Sequence, residues 1–151
     1  MQYELYMMCR PLKPENWVPR FVRQARVGHL ATSTKTGTPH AVPICFAFDG
    51  RALYTAIDNK PKRTVPGKLR RVRNIIENPK VCVVVDWYDE DWKKLSYVLL
   101  SGRAEILQKG REHRHAISLL RRKYSQYRKM NLHSRPVIRI VPRNIAVWKY
   151  Q

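Results

Sequence analysis

Residues 40–57, HAVPICFAFDGRALYTAI, contain the strongest short-range fold signal in this chain of 151 residues. Two strand-like runs, His40–Phe48 and Ala52–Ile57, flank the dipeptide Asp49-Gly50. Asp-Gly between two such runs is typical of a two-residue hairpin turn, in which both turn residues adopt positive φ. The stretch therefore predicts an antiparallel β-hairpin.

On the N-terminal side of this hairpin, the sequence predicts a helix followed by a strand. Glu15–Arg26 carries Trp17, Phe21 and Ala25 at four-residue spacing, which is typical of one apolar helix face. Val27–Thr34 alternates in the manner of a strand.

On the C-terminal side, a basic loop at Lys60–Lys68 leads into a second predicted helix, which we expect to stop near Asn78-Pro79. Its apolar stripe consists of Leu69, Val72, Ile75 and Ile76. Val81–Val85 is a continuous β-branched run and predicts a strand buried on both faces. The next predicted element is the strand Ser96–Leu107, with a bulge or a close backbone approach at Gly102. It is followed by the basic helix Gly110–Tyr127, which carries Ile117, Leu120, Tyr124 and Tyr127 on one face. The last predicted element is the strand Val137–Tyr150, interrupted at Pro142.

This order of elements predicts a mainly β fold in one domain, residues 1–151. Consecutive hairpins with helices between them indicate about six antiparallel strands and three flanking helices, closed or nearly closed into a β-barrel. The length is sufficient for an independent core, and no apolar run reaches the length that a membrane span needs. Cys9, Cys45 and Cys82 show no disulfide or zinc spacing. We interpret them as reduced thiols of a cytoplasmic protein, with Cys45 and Cys82 in the core.

Metal ligands are not evident in the sequence. The acidic stretch Asp86–Asp91 lacks the glycine and terminal glutamate of a calcium loop, so we expect an exposed turn without a bound metal. His29 and His40 lie on predicted strands, where ordinary sheet histidines are commoner than a metal-binding pair.

The net charge is the most unusual property of the composition. Thirty Lys and Arg residues against eleven Asp and Glu residues give a formal charge of +19. Such a charge attracts polyanions, which include nucleic acid, anionic membranes and phosphorylated small molecules.

Residues 54–63, YTAIDNKPKR, combine a strand with a cluster of cations. The strand carries the hydroxyl of Thr55, and three cations, Lys60, Lys62 and Arg63, follow within four positions. Fixed positive charges, a hydroxyl donor and free amides on a turn are what a phosphate monoester requires. A solvated basic loop is the alternative, and composition alone does not separate the two.

Residues 26–107 resemble the pyridoxamine 5′-phosphate oxidase-like, FMN-binding split-barrel superfamily, and within it the small flavin- or deazaflavin-dependent oxidoreductases. The matching pieces occur in the family's order and are ARVGHLAT from residue 25, Gly37–Pro43, Leu53–Arg63, Leu69–Val85, Ser101–Glu105, Pro136–Ile140 and Trp148.

The resemblance implies a cofactor site that we expect to hold FMN or, alternatively, coenzyme F-420. Related proteins build each site across a two-fold dimer, so the resemblance implies a homodimer in which Ser101–Arg103 or Trp148 comes from the second subunit. The resemblance implies that Val42, Pro43 and Ile44 lie along the ring, mainly through their backbone groups, and that Tyr54, Thr55 and Ala56 follow the ribityl chain. It implies that Lys60, Lys62 and Arg63 hold the phosphate, with Arg70 available to a longer anionic tail and His40 nearby.

The same resemblance implies an oxidoreductase that transfers two electrons, as hydride, between the bound cofactor and a small organic substrate. The cofactor carries this chemistry, and the protein contributes binding and orientation. No catalytic residue is identified, and Tyr54 and His40 are only candidates for a proton donor. Two alternatives stay open: a basic nucleic-acid-binding β-barrel, and a redox-inactive split barrel that binds a cofactor or haem.

Overall fold

Seven antiparallel strands form one sheet in the part of the chain that the computed structural model describes, residues 15–57 and 68–150. The order of strands across the sheet is β2-β1-β5-β6-β7-β4-β3. The strands are β1 Gly28–Ser33, β2 Pro39–Ile44, β3 Ala47–Phe48, β4 Leu53–Ala56, β5 Lys80–Trp87, β6 Ser96–Leu107 and β7 Val137–Lys149. The α-helices are α1 Val18–Gln24, α2 Arg70–Glu77, α3 Arg111–Lys123 and α4 Ser125–Arg128. A curled, mainly antiparallel sheet with flanking helices confirms the expected split-barrel class.

The hairpin around Asp49-Gly50 is confirmed, with Ala47 opposite Tyr54 across β3 and β4. The expected turn geometry is wrong, because only Gly50 has a positive φ, of 102°. The Asp49 carboxylate instead accepts hydrogen bonds from the backbone amides of Arg51 (2.8 Å) and Ala52 (2.9 Å). A side chain therefore closes this turn in place of a second residue with left-handed backbone.

The run His40–Phe48 forms two strands, whereas the sequence predicted one. It breaks at Cys45-Phe46, so that β2 and β3 lie at opposite edges of the sheet. Phe46 is fully buried, and its amide donates to the Tyr124 hydroxyl oxygen (3.0 Å). The same hydroxyl donates to the carbonyl of Arg26 (2.8 Å) or of Phe46 (2.9 Å). Tyr124 thus satisfies the backbone groups that the break frees, and the two edges of the sheet approach each other there.

Strand β5 alternates in burial, so the prediction that Val81–Val85 is buried on both faces is wrong. Val81, Val83 and Val85 are buried, while Cys82 and Val84 are half-buried on the other face. Cys45 is also half-buried. Neither of these two cysteines therefore occupies the core position that the sequence suggested.

Strand β6 begins and ends where the sequence predicted, and Gly102 does mark a bulge. The register between β6 and β7 shifts between Ser101 and Gly102, where Gly102 lies opposite Pro142. Strand β7 continues through Pro142 and is not interrupted there. A Cβ atom added at Gly102 would collide with the carbonyl of Val141, so only glycine permits this close approach of two strands.

The helices are shorter than their sequence patterns predicted, and on two of them the buried residues differ from the predicted apolar face. On α1 the buried residues are Val18 and Val22, while the three residues predicted to face the core are only partly buried against it. On α2, Ile76 is 70% exposed. The predicted helix Gly110–Tyr127 breaks at Tyr124, whose backbone is extended and whose hydroxyl contacts the backbone of Phe46.

Two apolar clusters result from this arrangement. One fills the inside of the curled sheet and includes the buried faces of α1 and α2. The other lies between α3–α4 and the strands β3, β4 and β7. The turn at Asp86–Asp91 is largely exposed, as predicted. Among the described residues, no helix is long and apolar enough to cross a membrane.

Candidate functional site

A group of cations meets strand β2 at the start of helix α2. Partial burial lowers the pKa of His40, and the positive charges of Arg70 and Arg71 lower it further. The buried Asn74 side chain donates to the Thr32 hydroxyl (2.9 Å), which ties α2 to β1 beside His40. We call His40, Arg70 and Arg71 the cationic corner. Because its histidine is mainly neutral at pH 7 and its arginines are charged, the corner can accept an anionic group.

The ring-facing residues implied by the resemblance divide between the two faces of β2. The register with β1 places Val42 opposite Leu30 and Ile44 opposite Gly28, so both point to the inside of the sheet with His40. Pro43 lies opposite His29 and points outward. His29 and His40 therefore point to opposite faces, which contradicts a metal-binding pair. No group of three or more ligating side chains occurs in residues 15–57 and 68–150.

The three residues assigned to the ribityl chain also divide between two faces. Thr55 is buried and lies opposite Ile138, which belongs to the inner cluster. Tyr54 and Ala56 belong to the cluster beneath α3. In the structure, therefore, only the Thr55 side chain among these three lies on the same side of the sheet as Val42 and Ile44.

Tyr54 takes part in a polar network that the sequence did not reveal. Its hydroxyl donates to Glu112 (2.9 Å), with Asp49 at 3.3 Å, and Glu112 also lies 2.6 Å from Arg139. Burial raises the pKa of Tyr54 above its ordinary value, and the hydrogen bond to Glu112 raises it further. The phenol therefore stays protonated, with its hydroxyl engaged with α3 in this structure. Glu112 lies 58 positions from Tyr54, so no local pattern could have shown the pairing.

Trp148 lies far from the cationic corner within one chain. It stacks on Tyr97 across β6 and β7, with ring centroids 6.0 Å apart, and is 42% exposed. Four strand spacings separate β7 from β2, which corresponds to about 19 Å. Lys60, Lys62 and Arg63 lie outside the described residues.

A cavity of about 570 Å³, which the sequence did not indicate, lies between α1 and the ends of β1 and β5. Its walls include Phe21, Val27 and Trp87, and the His29 imidazole lies 3.6 Å from the Asp86 carboxylate beside it. The apolar lining can accommodate the body of a small organic molecule. Only the pairing of β1 with β5 brings these residues together, so the sequence contained no signal for the cavity.

An apolar surface extends across the outside of the sheet. One row of paired residues runs from Pro43 through His29, Val84 and Leu99 to Ala146. These side chains belong to neither apolar cluster of the described residues. We call this row and its neighbours the uncovered face.

Comparisons with known proteins agree with this architecture. Residues 18–149 match the family model described as pyridoxamine 5′-phosphate oxidase. The 5a,11a-dehydrotetracycline/5a,11a-dehydrooxytetracycline reductase of Streptomyces rimosus is 30% identical over 131 residues, which cover 85% of this chain and 78% of the reductase. An FAD-binding protein of Mesorhizobium loti is 25% identical, with a TM-score of 0.63 and coverage of 85% of this chain and 89% of that one. An F-420 reductase is 23% identical, with a TM-score of 0.61 and coverage of 88% and 98%.

Proposed function

This chain belongs to the pyridoxamine 5′-phosphate oxidase family, and we propose that it is an oxidoreductase that uses a bound flavin or deazaflavin nucleotide. The observation that carries the proposal is the cationic corner, where the positive charges of Arg70 and Arg71 act on His40. A nucleotide cofactor needs such a place for its phosphate, next to strands that can contact a flat ring. We propose FMN as the cofactor and coenzyme F-420 as the alternative.

In this proposal, the protein's own residues bind the cofactor and orient it. Arg70 and Arg71, joined by Lys60, Lys62 and Arg63 from the preceding part of the sequence, hold the anionic end. Backbone groups of Val42, Pro43 and Ile44 on the edge strand β2 lie along the ring of the cofactor, and the end of β4 follows its ribityl chain. A bound flavin or deazaflavin supplies hydride transfer. Because the pKa of His40 is lowered, its neutral imidazole accepts a hydrogen bond more readily than it donates a proton at pH 7.

The substrate class is proposed from the curated relative. That enzyme is a reductase of dehydrotetracyclines, which favours the reductive direction here and an organic substrate with an extended ring system. The cavity of about 570 Å³ beside α1 has room for part of such a molecule.

The absorption spectrum of the purified protein tests the choice of cofactor. We expect a visible flavin or deazaflavin band, and mass spectrometry of the molecule released on heating should identify FMN or coenzyme F-420. Where the protein is purified without a cofactor, titration with each compound should quench its fluorescence with saturation. Failure of both compounds to bind, or recovery of haem instead, would contradict the proposal.

We also propose that the functional unit is a homodimer joined through the uncovered face. The row from Pro43 to Ala146 is largely apolar and spans five strands, and a second copy would remove it from water. Such a dimer would bring Trp148 of a second copy toward residues of β2, which a single chain holds about 19 Å away. This is how both Trp148 and Pro43 can serve one cofactor site.

Sedimentation tests the dimer. At micromolar concentration, the protein should sediment with twice the mass of its 17.9 kDa chain. Leu99→Lys should shift it to the mass of one chain, because the half-buried Leu99 side chain lies in the middle of the uncovered face. Ile76→Lys adds the same charge on α2, outside that face, and should leave the dimer intact. A parent protein with the mass of one chain, or equal effects of both variants, would overturn the proposal.

A further inference from the structure

Helices α3 and α4 form a groove whose walls carry several arginines. The groove has a volume of about 410 Å³ and is lined by Arg114, Arg121, Arg122 and Arg128, with His133 at its rim. None of the described acidic side chains lines it. We call it the α3–α4 groove.

Two of these arginines are held in place by reciprocal hydrogen bonds. The Arg121 guanidinium donates to the carbonyl of Arg128 (3.0 Å), and the Arg128 guanidinium donates to the carbonyl of Arg121 (3.2 Å). A guanidinium has five N–H donors, so each of the two guanidinium groups has four N–H donors left for a ligand. The fixed positions reduce the entropy that the side chains would lose on binding an anion.

The positive charge around the groove is not neutralised locally. Residues 109–135 contain nine Lys or Arg residues and one acid, Glu112. Glu112 lies 2.6 Å from Arg139 and accepts the Tyr54 hydroxyl, so its charge is directed toward the sheet. The solvent side of α3 and α4 therefore presents a concentrated positive field.

The dimensions of the groove fit a chain of phosphates better than a single phosphate. Arg114 and Arg121 are two helical turns apart, which corresponds to about 10 Å along α3. Guanidinium groups bind phosphate oxygens in a fork, and a row of them can contact successive phosphates. We propose that the α3–α4 groove binds the phosphodiester backbone of nucleic acid without base specificity, as a function separate from the cofactor site.

An anionic membrane fits this surface less well than nucleic acid. Membrane-bound helices insert an apolar face, whereas the apolar face of α3, which includes Ile117 and Leu120, is buried against the sheet. Among the described residues, the large exposed apolar side chains all lie outside residues 109–135. The groove is also distinct from the uncovered face, since α3 packs on β3, β4 and β7.

Fluorescence anisotropy with labelled single-stranded oligothymidylate and a labelled DNA duplex tests the proposal. The variant Arg114→Ala/Arg122→Ala removes two exposed groove cations and leaves the Arg121–Arg128 hydrogen bonds intact. We expect its affinity to fall about tenfold or more, and the slope of log K against log salt to decrease by about two. The matched control is Arg20→Ala/Lys93→Ala, which removes two exposed cations outside the groove and should change affinity less than twofold.

Several results would overturn the proposal. They are no binding of either nucleic acid by the parent protein, an equal loss in the groove and control variants, or binding of phosphatidylserine vesicles with no binding of nucleic acid. Circular dichroism and thermal melting of both variants establish that each is folded. Cofactor titration of the groove variant separates the two sites, because the cofactor affinity should stay that of the parent.

Discussion

Replacing Lys62 and Arg63 together by alanine is expected to weaken FMN binding about a hundredfold or more. The expectation rests on the proposed phosphate site, in which these cations extend the cationic corner of Arg70 and Arg71. A charge-assisted hydrogen bond contributes roughly 1.5–3 kcal/mol, so two of them account for a loss of this size. Fluorescence titration with FMN and with coenzyme F-420 measures it.

The control removes the same charge elsewhere. Lys109→Ala/Arg111→Ala takes two exposed cations from the start of α3 and should leave the cofactor affinity unchanged. If the two double variants weaken binding equally, the overall charge of the protein is responsible and the proposed site is wrong. If neither weakens it, the segment at Lys62 and Arg63 is only basic surface.

Replacing Gly102 by alanine is expected to lower the free energy of unfolding by about 3 kcal/mol or more, and it has the largest expected effect on stability. The added Cβ would collide with the backbone carbonyl of Val141 on the neighbouring strand. A flexible side chain could rotate away, but Val141 is held within the long β6–β7 ladder. Overpacking typically costs about 1–3 kcal/mol, and we expect the upper end of this range or more because part of the ladder must separate. Urea unfolding followed by circular dichroism measures the change.

Ser101→Ala is the matched control for Gly102→Ala. Ser101 is the neighbouring residue of β6 and already carries a Cβ, so its replacement should change the unfolding free energy by less than about 1 kcal/mol. Equal stability of Gly102→Ala and the parent would show that β7 can move away from β6 at the bulge. The uncovered face would then have a less rigid backbone than the structure indicates.

The predictions that the structure confirmed depend on neighbours in sequence. Strand β6 has its predicted ends, Ser96 and Leu107, because apolar alternation and flanking polar residues define a strand locally. The hairpin at Asp49-Gly50 is also defined locally, by its turn residues and the strand-like runs on either side. At Gly102, the absence of a side chain inside a strand pattern was a sufficient signal for a close approach.

The predictions that failed depend on contacts between distant residues. The break at Cys45-Phe46 is stabilised by Tyr124, which is 78 positions from Phe46. Tyr124 also has an extended backbone at the point where the predicted third helix divides into α3 and α4. Val84 and Cys82 are half-buried on the outer face of the sheet, and a β-branched run does not indicate which of its faces is covered.

For the candidate site, the sequence identified the types of residue but not their arrangement. His40 and Arg70 were both expected to contact a cofactor, and the structure places Arg70 and Arg71 close enough to lower the pKa of His40. Tyr54 was expected to contact the cofactor too, yet its hydroxyl donates to Glu112 beneath α3. The alternation of side chains along β4 permits either face, and only the packing of α3 decides between them.

The sequence by itself therefore determined the class of fold, the order of most elements, the positions of the hairpin and the bulge, and the family of the protein. These follow from periodicity, turn residues and short matching segments, which are all local properties of the chain. Only the tertiary structure decided where His40–Phe48 divides, which side chains of β2 and β4 face inward, and that α3 and α4 enclose a groove of arginines. Those outcomes depend on which elements pack together, and packing joins residues whose separation in sequence leaves no local pattern.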